Sequence, residues 1–384
     1  MAKKNKILKI GIVCYPSVGG SGIVATGLGS ELARLGHKVH FISYDPPFAL
    51  DTDQKNIFFH KVVFNSYELF KYPDYTLPLA VKIVDVNTKY KLDILHVHYA
   101  VPHATAALLA KDISETQKIH FPNVVTTLHG TDITLLARDK SLMPVIKYSI
   151  ESSCGVTAVS ESLKGDTVKV LNTKKDISVI HNFYNPKKIK KSPQLIRKMI
   201  GIEQDDFLAI HLSNMRPVKR IPDLLAMMSK VKNNKKIKLL ILAGGNSDEY
   251  LPLIKKLGIE KQVTIKKNVL DVENYINASD IGIYTSGEES FGMGILETMS
   301  YGKPVLATNA GGIGEFMQSG ITGFLFPVGK VDAFAKKLKE LSFNKALVLE
   351  LGEQAKVRAL SGFSGTKIVE HYIEYYKKIM KVCK

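Results

Sequence analysis

The chain alternates short runs of β-branched and aliphatic residues with longer stretches in which apolar residues recur at helical spacing. The runs in the first half are ILKIGIVCY, KVHFIS, DILHVH, VVTTLHG and CGVTAVS. Those in the second half are FLAIHLS, KLLILAGG, VTIKKNV, DIGIYTS and KPVLATNAGG. Nearly continuous apolar strands are expected where helices cover both faces of a sheet, so the pattern predicts an α/β fold with parallel sheets.

The alternation breaks once, at HNFYNPKKIKKSPQ (residues 181–194), which is rich in Pro, Asn and Lys. A chain of 384 residues is also long for a single core. We therefore expect two Rossmann-like, doubly wound domains, residues 1–182 and 183–362, facing each other across a cleft. Apolar and aromatic residues at helical spacing predict a packed terminal helix within residues 363–384.

Composition limits the function classes. No apolar run reaches the roughly 18 to 20 residues of a membrane span, so stable membrane insertion is not expected. The net charge of +17 is spread along the chain, which favours solvated surface, with small anionic ligands or an anionic membrane as the alternatives, over nucleic acid. Three widely spaced cysteines encode neither a zinc site nor a disulfide framework, and this usage fits the cytoplasm.

The glycine loop SVGGSGIVATGLG follows the first predicted strand and leads into a helix. Glycines there let backbone amides approach an anion closely. Gly20, Gly22 and Ala25 also satisfy the dinucleotide pattern G-x-G-x-x-A, with Asp45 near the place of a ribose-binding acid. An NAD-dependent dehydrogenase therefore stays an alternative at this point.

Two further strands of the first half end in polar residues. In HVHY, alternation places His96 and His98 on one face and leaves Tyr99 at the strand end. In TTLHGTD, His129 emerges in the same way. Ligands of open α/β sheets bind beyond the carboxyl ends of the strands, so these loops and the glycine loop predict one binding edge.

The second half contains an anion site and two acids. SNMRPVKR (residues 213–220) places Arg216 and Lys219 near a helix start, which is unfavourable unless an anion binds there. In EESFGMGILE, Glu289 lies in a loop and Glu297 more than a turn into the helix that follows. A glycosidase needs carboxylates on both sides of the scissile bond, whereas both of these acids flank an anion-binding helix start.

The combination of Glu289-x7-Glu297, the basic pair at 216 and 219 and the first glycine loop resembles the retaining GT-B glycosyltransferases of family 4. The resemblance covers nearly the whole chain. The strings CYPSVGGSG and HVHYAVPHA resemble the members that join N-acetylglucosamine to L-malate in the bacillithiol pathway. The resemblance implies UDP-N-acetylglucosamine as donor and L-malate as acceptor, without a metal or NAD. It also implies a last helix that crosses back to the first domain.

The resemblance also implies roles for individual residues. His129, Arg216, Lys219 and Glu289 are the expected catalytic residues: the basic pair neutralises the diphosphate, Glu289 binds the donor sugar and His129 faces its C6 side. Glu297 is expected to hold the ribose. The other expected donor-binding residues are Gly20, Asn214, Asn268, Val269, Phe291, Gly292 and Met293. Those expected around malate are Ser21, Gly22, Tyr99, Thr127, Thr131 and Lys147, the last of which could equally be a solvated helix lysine.

The family mechanism is front-face substitution, in which malate attacks from the side that UDP leaves. Alternatives are a lipid- or sugar-directed family 4 enzyme at a membrane surface, the dehydrogenase and a non-enzymatic binding module. A homo-oligomer is possible. The dehydrogenase would leave the anion site of the second half unexplained.

Overall fold

The computed structural model describes residues 6–17, 19–64 and 75–383. Its strands are β1 Lys9–Val13, β2 Lys38–Ser43, β3 Ile57–Lys61, β4 Ile94–His98, β5 Asn123–Leu128, β6 Gly155–Ala158, β7 Ile177–Val179, β8 Phe207–Ser213, β9 Ile237–Ala243, β10 Val263–Lys267, β11 Ile281–Tyr284, β12 Val305–Thr308 and β13 Gly323–Phe326. Its α-helices are α1 Gly20–Arg34, α2 Thr76–Tyr90, α3 Thr105–Thr116, α4 Met143–Ser152, α5 Glu161–Leu171, α6 Pro193–Met199, α7 Ile221–Lys230, α8 Leu251–Leu257, α9 Val272–Ala278, α10 Met293–Ser300, α11 Ile313–Phe316, α12 Val331–Ser342, α13 Lys345–Gly362 and α14 Gly365–Val382. Short π-helical turns span Ala100–Ala104 and Thr131–Leu135, and 3-10 turns span Leu136–Arg138, Pro217–Lys219 and Asp248–Tyr250.

The chain forms two compact units. Unit 1 comprises residues 1–182 and 365–384, and unit 2 comprises residues 183–364. Unit 1 contains a parallel sheet in the order β3-β2-β1-β4-β5-β6-β7. Unit 2 contains a parallel sheet in the order β10-β9-β8-β11-β12-β13.

Both sheets reverse their strand order once, between β1 and β4 in unit 1 and between β8 and β11 in unit 2. At such a switch point the loops after the two central strands diverge to opposite sides and leave a crevice at the carboxyl edge. The central strands are buried because helices cover them on both faces; β4, for example, is fully buried although it contains His96 and His98. The fold thus creates one crevice at the carboxyl edge of each sheet.

The two α/β sheets confirm the predicted fold class, and the apolar runs mark the central strands. Edge strands β3 and β13 were not among those runs. They are only partly buried, so their apolar signal is weaker.

The predicted terminal helix is confirmed as α14, which packs on unit 1 through its aromatic face. Tyr372 and Tyr376 are fully buried there, and the Tyr375 hydroxyl donates to the Val156 carbonyl at 3.1 Å.

The expectation that the cysteines form no disulfide is wrong. Cys154, just before β6, is bonded to Cys383 at the end of α14, with a Cα–Cα distance of 5.9 Å. The two residues are 229 positions apart, so local spacing contains no signal of their pairing. Cys14 is free and buried.

Candidate active site

The switch point of unit 2 brings together the two segments that the sequence marked as an anion site. After β8 the chain passes Asn214 and Arg216, both exposed, and enters the Pro217–Lys219 turn before α7. After β11 it forms the loop 285–292 and then α10. The Gly287 amide donates to the Val218 carbonyl at 2.8 Å, which joins the loop to that turn.

Lys219 and Glu289 form an ion pair at the centre of this crevice. The Lys219 ammonium donates to Oε2 of Glu289, and the side chains are only 20% and 15% exposed. The Ser286 hydroxyl donates to the same carboxylate oxygen at 3.3 Å. The Thr285 hydroxyl donates to the Lys219 carbonyl at 3.1 Å and so holds the backbone of the lysine. Both charged groups are therefore fixed by their neighbours.

A glycine turn after β12 holds the backbone of Glu289 in place. The Gly312 amide donates to the Glu289 carbonyl at 2.9 Å. Gly311 has a φ of +56°, and a Cβ atom there would lie 1.9 Å from the same carbonyl oxygen. Only glycine satisfies both conditions, so the NAGG turn after β12 fixes the position of Glu289.

Helix α10 begins directly after the acid-bearing loop. Gly292, its N-cap, has a φ of +107°, and the first helical residue is Met293. Amides at the start of a helix lack carbonyl partners within it and attract anions. Phe291 is buried and stacks on Phe316 at 4.9 Å, so its side chain anchors the helix start in the core of unit 2.

Glu297 lies one turn further along α10 and is 9% exposed. Burial raises the pKa of its carboxyl to about 7, the positive charge of Lys187 opposes the rise, and the negative charge of Glu273 adds to it. Glu273 on α9 is also buried, and its Oε2 has no hydrogen-bond partner among the described residues. A ligand hydroxyl would satisfy a carboxylate in these surroundings.

Of the remaining predicted donor-binding residues, Gly20 lies in unit 1 at the start of α1, and the other three lie at the carboxyl edge of the unit 2 sheet. Asn268 follows β10 with a φ of +52°, and its amide donates to the Ala243 carbonyl at 2.9 Å. Val269 is next in the chain and packs on the core between the sheet and α6 and α9. The Asn214 backbone faces the Gly244–Gly245 turn after β9.

The switch point of unit 1 joins the first glycine loop to Tyr99. Helix α1 begins at Gly20, so the amides of Gly20 and Ser21 belong to its first turn and have no carbonyl partner within the helix. The Tyr99 hydroxyl donates to the Ser21 hydroxyl at 2.9 Å. A Cβ atom on Gly22 would lie 2.3 Å from the Ser17 carbonyl, so glycine is required for this close turn. Asp45 is 60% exposed and pairs with Lys61 at 3.4 Å.

His129 and Thr131 follow β5 at the same edge. His129 is partly buried, and its ring lies 5.3 Å from that of Tyr99. Asp132 is fully buried and accepts from the amides of Gly130 at 3.0 Å and Ala100 at 3.4 Å. Burial raises the pKa of Asp132 to about 6, although these amides oppose the rise. Asp132 thus braces the loop after β4 against the loop after β5.

Two of the predicted acceptor-binding residues, Thr127 and Lys147, have side chains that are engaged in other contacts. The Thr127 hydroxyl is buried between His96 at 2.6 Å and Thr157 at 2.6 Å, so only its backbone supports the site, through the Tyr99 amide at 3.0 Å. Lys147 donates to the Asn172 carbonyl at 3.2 Å and lies 3.8 Å from Glu151. These are the contacts of a surface helix lysine.

Several site residues were missed by the sequence reasoning. Asp132 and Ser286 lie within the quoted motifs, and a polar residue two to four positions after a strand end was the available signal. Glu273 has no such signal because it lies on a helix.

In the part of the chain that the structure covers, no group of three or more His, Cys, Asp or Glu could hold a metal ion. Within the same ranges, no helix is long and apolar enough to cross a membrane.

Comparison with known proteins agrees with this geometry. The family model for glycosyl transferases group 1 matches residues 193–358, and that for glycosyltransferase family 4 matches residues 18–188. The chain is 42% identical to the N-acetyl-alpha-D-glucosaminyl L-malate synthase of Bacillus anthracis, over 97% of this chain and 98% of that protein. It is 28% identical to the putative glycosyltransferase EpsD of Bacillus subtilis, over 78% and 79% of the two chains.

Solved structures share the fold. The Anabaena protein HepE in complex with UDP and glucose superposes with a TM-score of 0.79 at 20% identity, covering 97% of this chain and all of that one. A glycosyltransferase from Rickettsia africae gives 0.78 at 24% identity, covering 98% and 100%. The chain is a glycosyltransferase of the GT-B fold and belongs to glycosyltransferase family 4.

Proposed function

We propose that the protein transfers N-acetylglucosamine from UDP-N-acetylglucosamine to the hydroxyl group of L-malate, with retention of the anomeric configuration. The product would be N-acetylglucosaminyl malate, the first intermediate of bacillithiol biosynthesis. The observation that carries the proposal is the Lys219–Glu289 pair beside the start of α10. The similarity to the Bacillus anthracis synthase along almost the full length of both chains supports the choice of substrates.

The donor would bind to unit 2. An ammonium group has three hydrogen-bond donors, so Lys219 can keep its contact with Glu289 and still bind a diphosphate oxygen. Arg216 and the amides at Gly292 and Met293 would add positive charge and hydrogen bonds. Glu297 would accept from the ribose hydroxyls, and the backbone of residues 268–269 would meet the uracil.

The acceptor would bind to unit 1. The first-turn amide at Ser21 suits an anionic group, and L-malate has two carboxylates. The linked hydroxyls of Tyr99 and Ser21 would orient the acceptor, with Thr131 beside them. Gly22 would keep the loop close, and Thr127 would act through its backbone. The contacts of Lys147 favour a surface role for this residue.

Catalysis would depend on charge stabilisation and positioning. The malate hydroxyl would attack the anomeric carbon from the side that UDP leaves, and a donor phosphate oxygen would take its proton. Arg216 and Lys219 would stabilise the charge that develops on the departing diphosphate, while Glu289 would hold the sugar hydroxyls. His129 would face the C6 side of the sugar. No step in this scheme uses a metal ion or a redox cofactor, and the reaction is compatible with the cytoplasm.

The test is UDP release from UDP-N-acetylglucosamine by the purified protein, with and without L-malate, followed by mass analysis of the product. Malate-dependent release with a glycosyl-malate mass is the expected result. Binding of the donor without malate-dependent release would overturn the choice of acceptor. Release stimulated by vesicles that contain a lipid acceptor would instead favour a membrane-directed member of the family.

A further inference from the structure

Three histidines form a stack next to the acceptor-side edge of unit 1. The rings of His96 and His98 on β4 are 4.6 Å apart and nearly parallel. The rings of His98 and His129 are 5.0 Å apart with an angle of 20° between them. His96 and His98 are fully buried, and His129 alone reaches the edge of the sheet. The stack therefore connects the core of unit 1 to a residue of the candidate site.

A hydrogen bond joins the rings of His98 and His129. Nδ1 of His98 and Nε2 of His129 are 2.7 Å apart. Burial lowers the pKa of both imidazoles, that of His129 to about 3, and the other histidines of the cluster lower them further. Both rings are therefore neutral near pH 7. A neutral imidazole has one N–H donor and one bare nitrogen, so only one of the two facing nitrogens carries a proton.

The surroundings of His98 decide which nitrogen that is. Nε2 of His98 is buried and has no partner among the described residues. If His129 donated the proton, His98 would carry its own proton on Nε2 and bury an unpaired N–H group. Orphaned buried N–H groups are rare in folded proteins. The favoured arrangement has His98 donating from Nδ1 to Nε2 of His129, which leaves the proton of His129 on its Nδ1.

A second contact holds the backbone of His98 in place. Nδ1 of His103 lies against the His98 carbonyl oxygen, and because a carbonyl can only accept, His103 is the donor. His103 is also fully buried. The His98 ring is thus fixed by His103 through its backbone and by His96 through stacking.

We propose that His98 is a positioning residue for the transfer reaction, which holds His129 in the tautomer with its proton on Nδ1. His129 then presents a hydrogen-bond donor to the substrate, and the role rests on the proposed function of His129 at the donor sugar. Nε2 of His129 is used in the contact with His98, so Nδ1 is the ring nitrogen that can face a substrate. A ring free to change tautomer would offer a bare nitrogen to a substrate oxygen for part of the time, and turnover would fall.

Two near-isosteric substitutions test the proposal in the full chain. Asparagine has an amide N–H group that can lie close to the position of Nδ1, whereas leucine has the same branched outline without a donor. We expect His98→Asn to keep turnover within about threefold of the unchanged protein. His98→Leu should lower kcat by about tenfold, the effect of one hydrogen bond, while the Kd for UDP stays unchanged.

NMR of the ring nitrogens of His129 gives a readout that does not depend on activity. The unchanged protein and His98→Asn should both show the Nδ1–H tautomer, and His98→Leu should show a mixture or the Nε2–H tautomer. An Nε2–H tautomer in the unchanged protein, or equal kcat in the two variants, would overturn the proposal. Lack of malate-dependent turnover in the unchanged protein would instead refute the proposed function and leave the tautomer result valid.

Tyr376→Phe separates positioning from packing. The Tyr376 hydroxyl contacts Nδ1 of His96 at 2.7 Å, one ring further into the core. Its loss should lower the melting temperature without changing the tautomer of His129 or kcat. If Tyr376→Phe lowers kcat as much as His98→Leu, the stack acts through packing alone and the proposal fails.

Discussion

Lys219 and Glu289 form the ion pair on which the proposed chemistry depends most directly. The two side chains are mostly withdrawn from solvent and face each other, and Ser286 adds a hydrogen bond to the carboxylate. Charged groups withdrawn from water need such partners. The pair is thus stable before the donor arrives, and the donor diphosphate would find the ammonium already oriented.

Lys219→Ala should lower kcat by about 10²–10³-fold, because one preorganised charge at the leaving group is lost. Steady-state kinetics of malate-dependent UDP release measure the change. Lys236→Ala is the matched control, since Lys236 forms an exposed ion pair with Asp205 in the same unit. Near-normal turnover of Lys219→Ala, with the control also normal, would show that the diphosphate binds elsewhere.

Glu297 should make the stability of the free protein depend on pH. Its pKa is raised from the ordinary 4.5 to about 7 in the folded chain, mainly by burial. The folded state therefore binds the proton more tightly than the unfolded state does. This stabilisation is complete below about pH 4.5 and is lost as the pH rises through 7.

Relative to Glu297→Gln, the free energy of unfolding of the unchanged protein should therefore fall between pH 5 and pH 8, by up to about 3 kcal/mol. Chemical denaturation without UDP at several pH values measures the difference. Glu350→Gln, which changes an exposed acid on α13, is the matched control. A flat difference for Glu297→Gln would mean that its carboxyl titrates normally.

At the scale of secondary structure, each site segment is the link between a strand and the helix or turn after it. Alternation along β4 predicted that His96 and His98 share a face, and their stacked rings confirm it. The sequence also predicts a helix after Glu289, and α10 confirms it, with Gly292 as its N-cap. Local patterns suffice here because strand period and helix caps are set by neighbouring residues.

Other parts of the site depend on segments that are distant in sequence. Asp132 bridges two loops, and Gly311 supports Glu289 from the next strand. The Thr127 hydroxyl is used by His96 and Thr157 within the core. None of these contacts can be derived from spacing along the chain, because each one requires the order of strands in the sheet.

Gly311→Ala should damage the site through the backbone of Glu289. The new Cβ would collide with the Glu289 carbonyl, so we expect at least a tenfold loss of kcat together with lower stability. Gly320→Ala is the matched control, because Gly320 also has a positive φ but has open space around it. It should lose about 1 kcal/mol of stability and retain its turnover. Equal kcat values for the two variants would contradict the supporting role of the NAGG turn.

At the scale of the whole molecule, α14 belongs to unit 1 although it follows unit 2 in the chain. Its aromatic face completes the core beneath β4 and β5, and the Cys154–Cys383 bond joins its end to β6. Burial raises the pKa of the Cys14 thiol to about 12, which keeps this third cysteine out of thiol exchange.

Dithiothreitol should therefore lower the free energy of unfolding, by about 2–4 kcal/mol, because the long loop closed by the disulfide is released in the unfolded chain. Thermal or urea denaturation with and without the reductant measures the effect. Cys383→Ser should be less stable from the start and insensitive to dithiothreitol. If the reductant does not change the stability of the unchanged protein, the two cysteines are not bonded in solution.

The return of α14 to unit 1 has a consequence for how the protein is made. A ribosome releases the strands of unit 1 early, then all of unit 2, and only afterwards the helix whose Tyr376 contacts His96. Unit 2 can fold completely during translation. Unit 1 keeps the apolar surface that α14 covers exposed until that helix has been synthesised. Premature termination between residues 298 and 364 would therefore leave every proposed catalytic residue in the chain and still yield an incomplete unit 1.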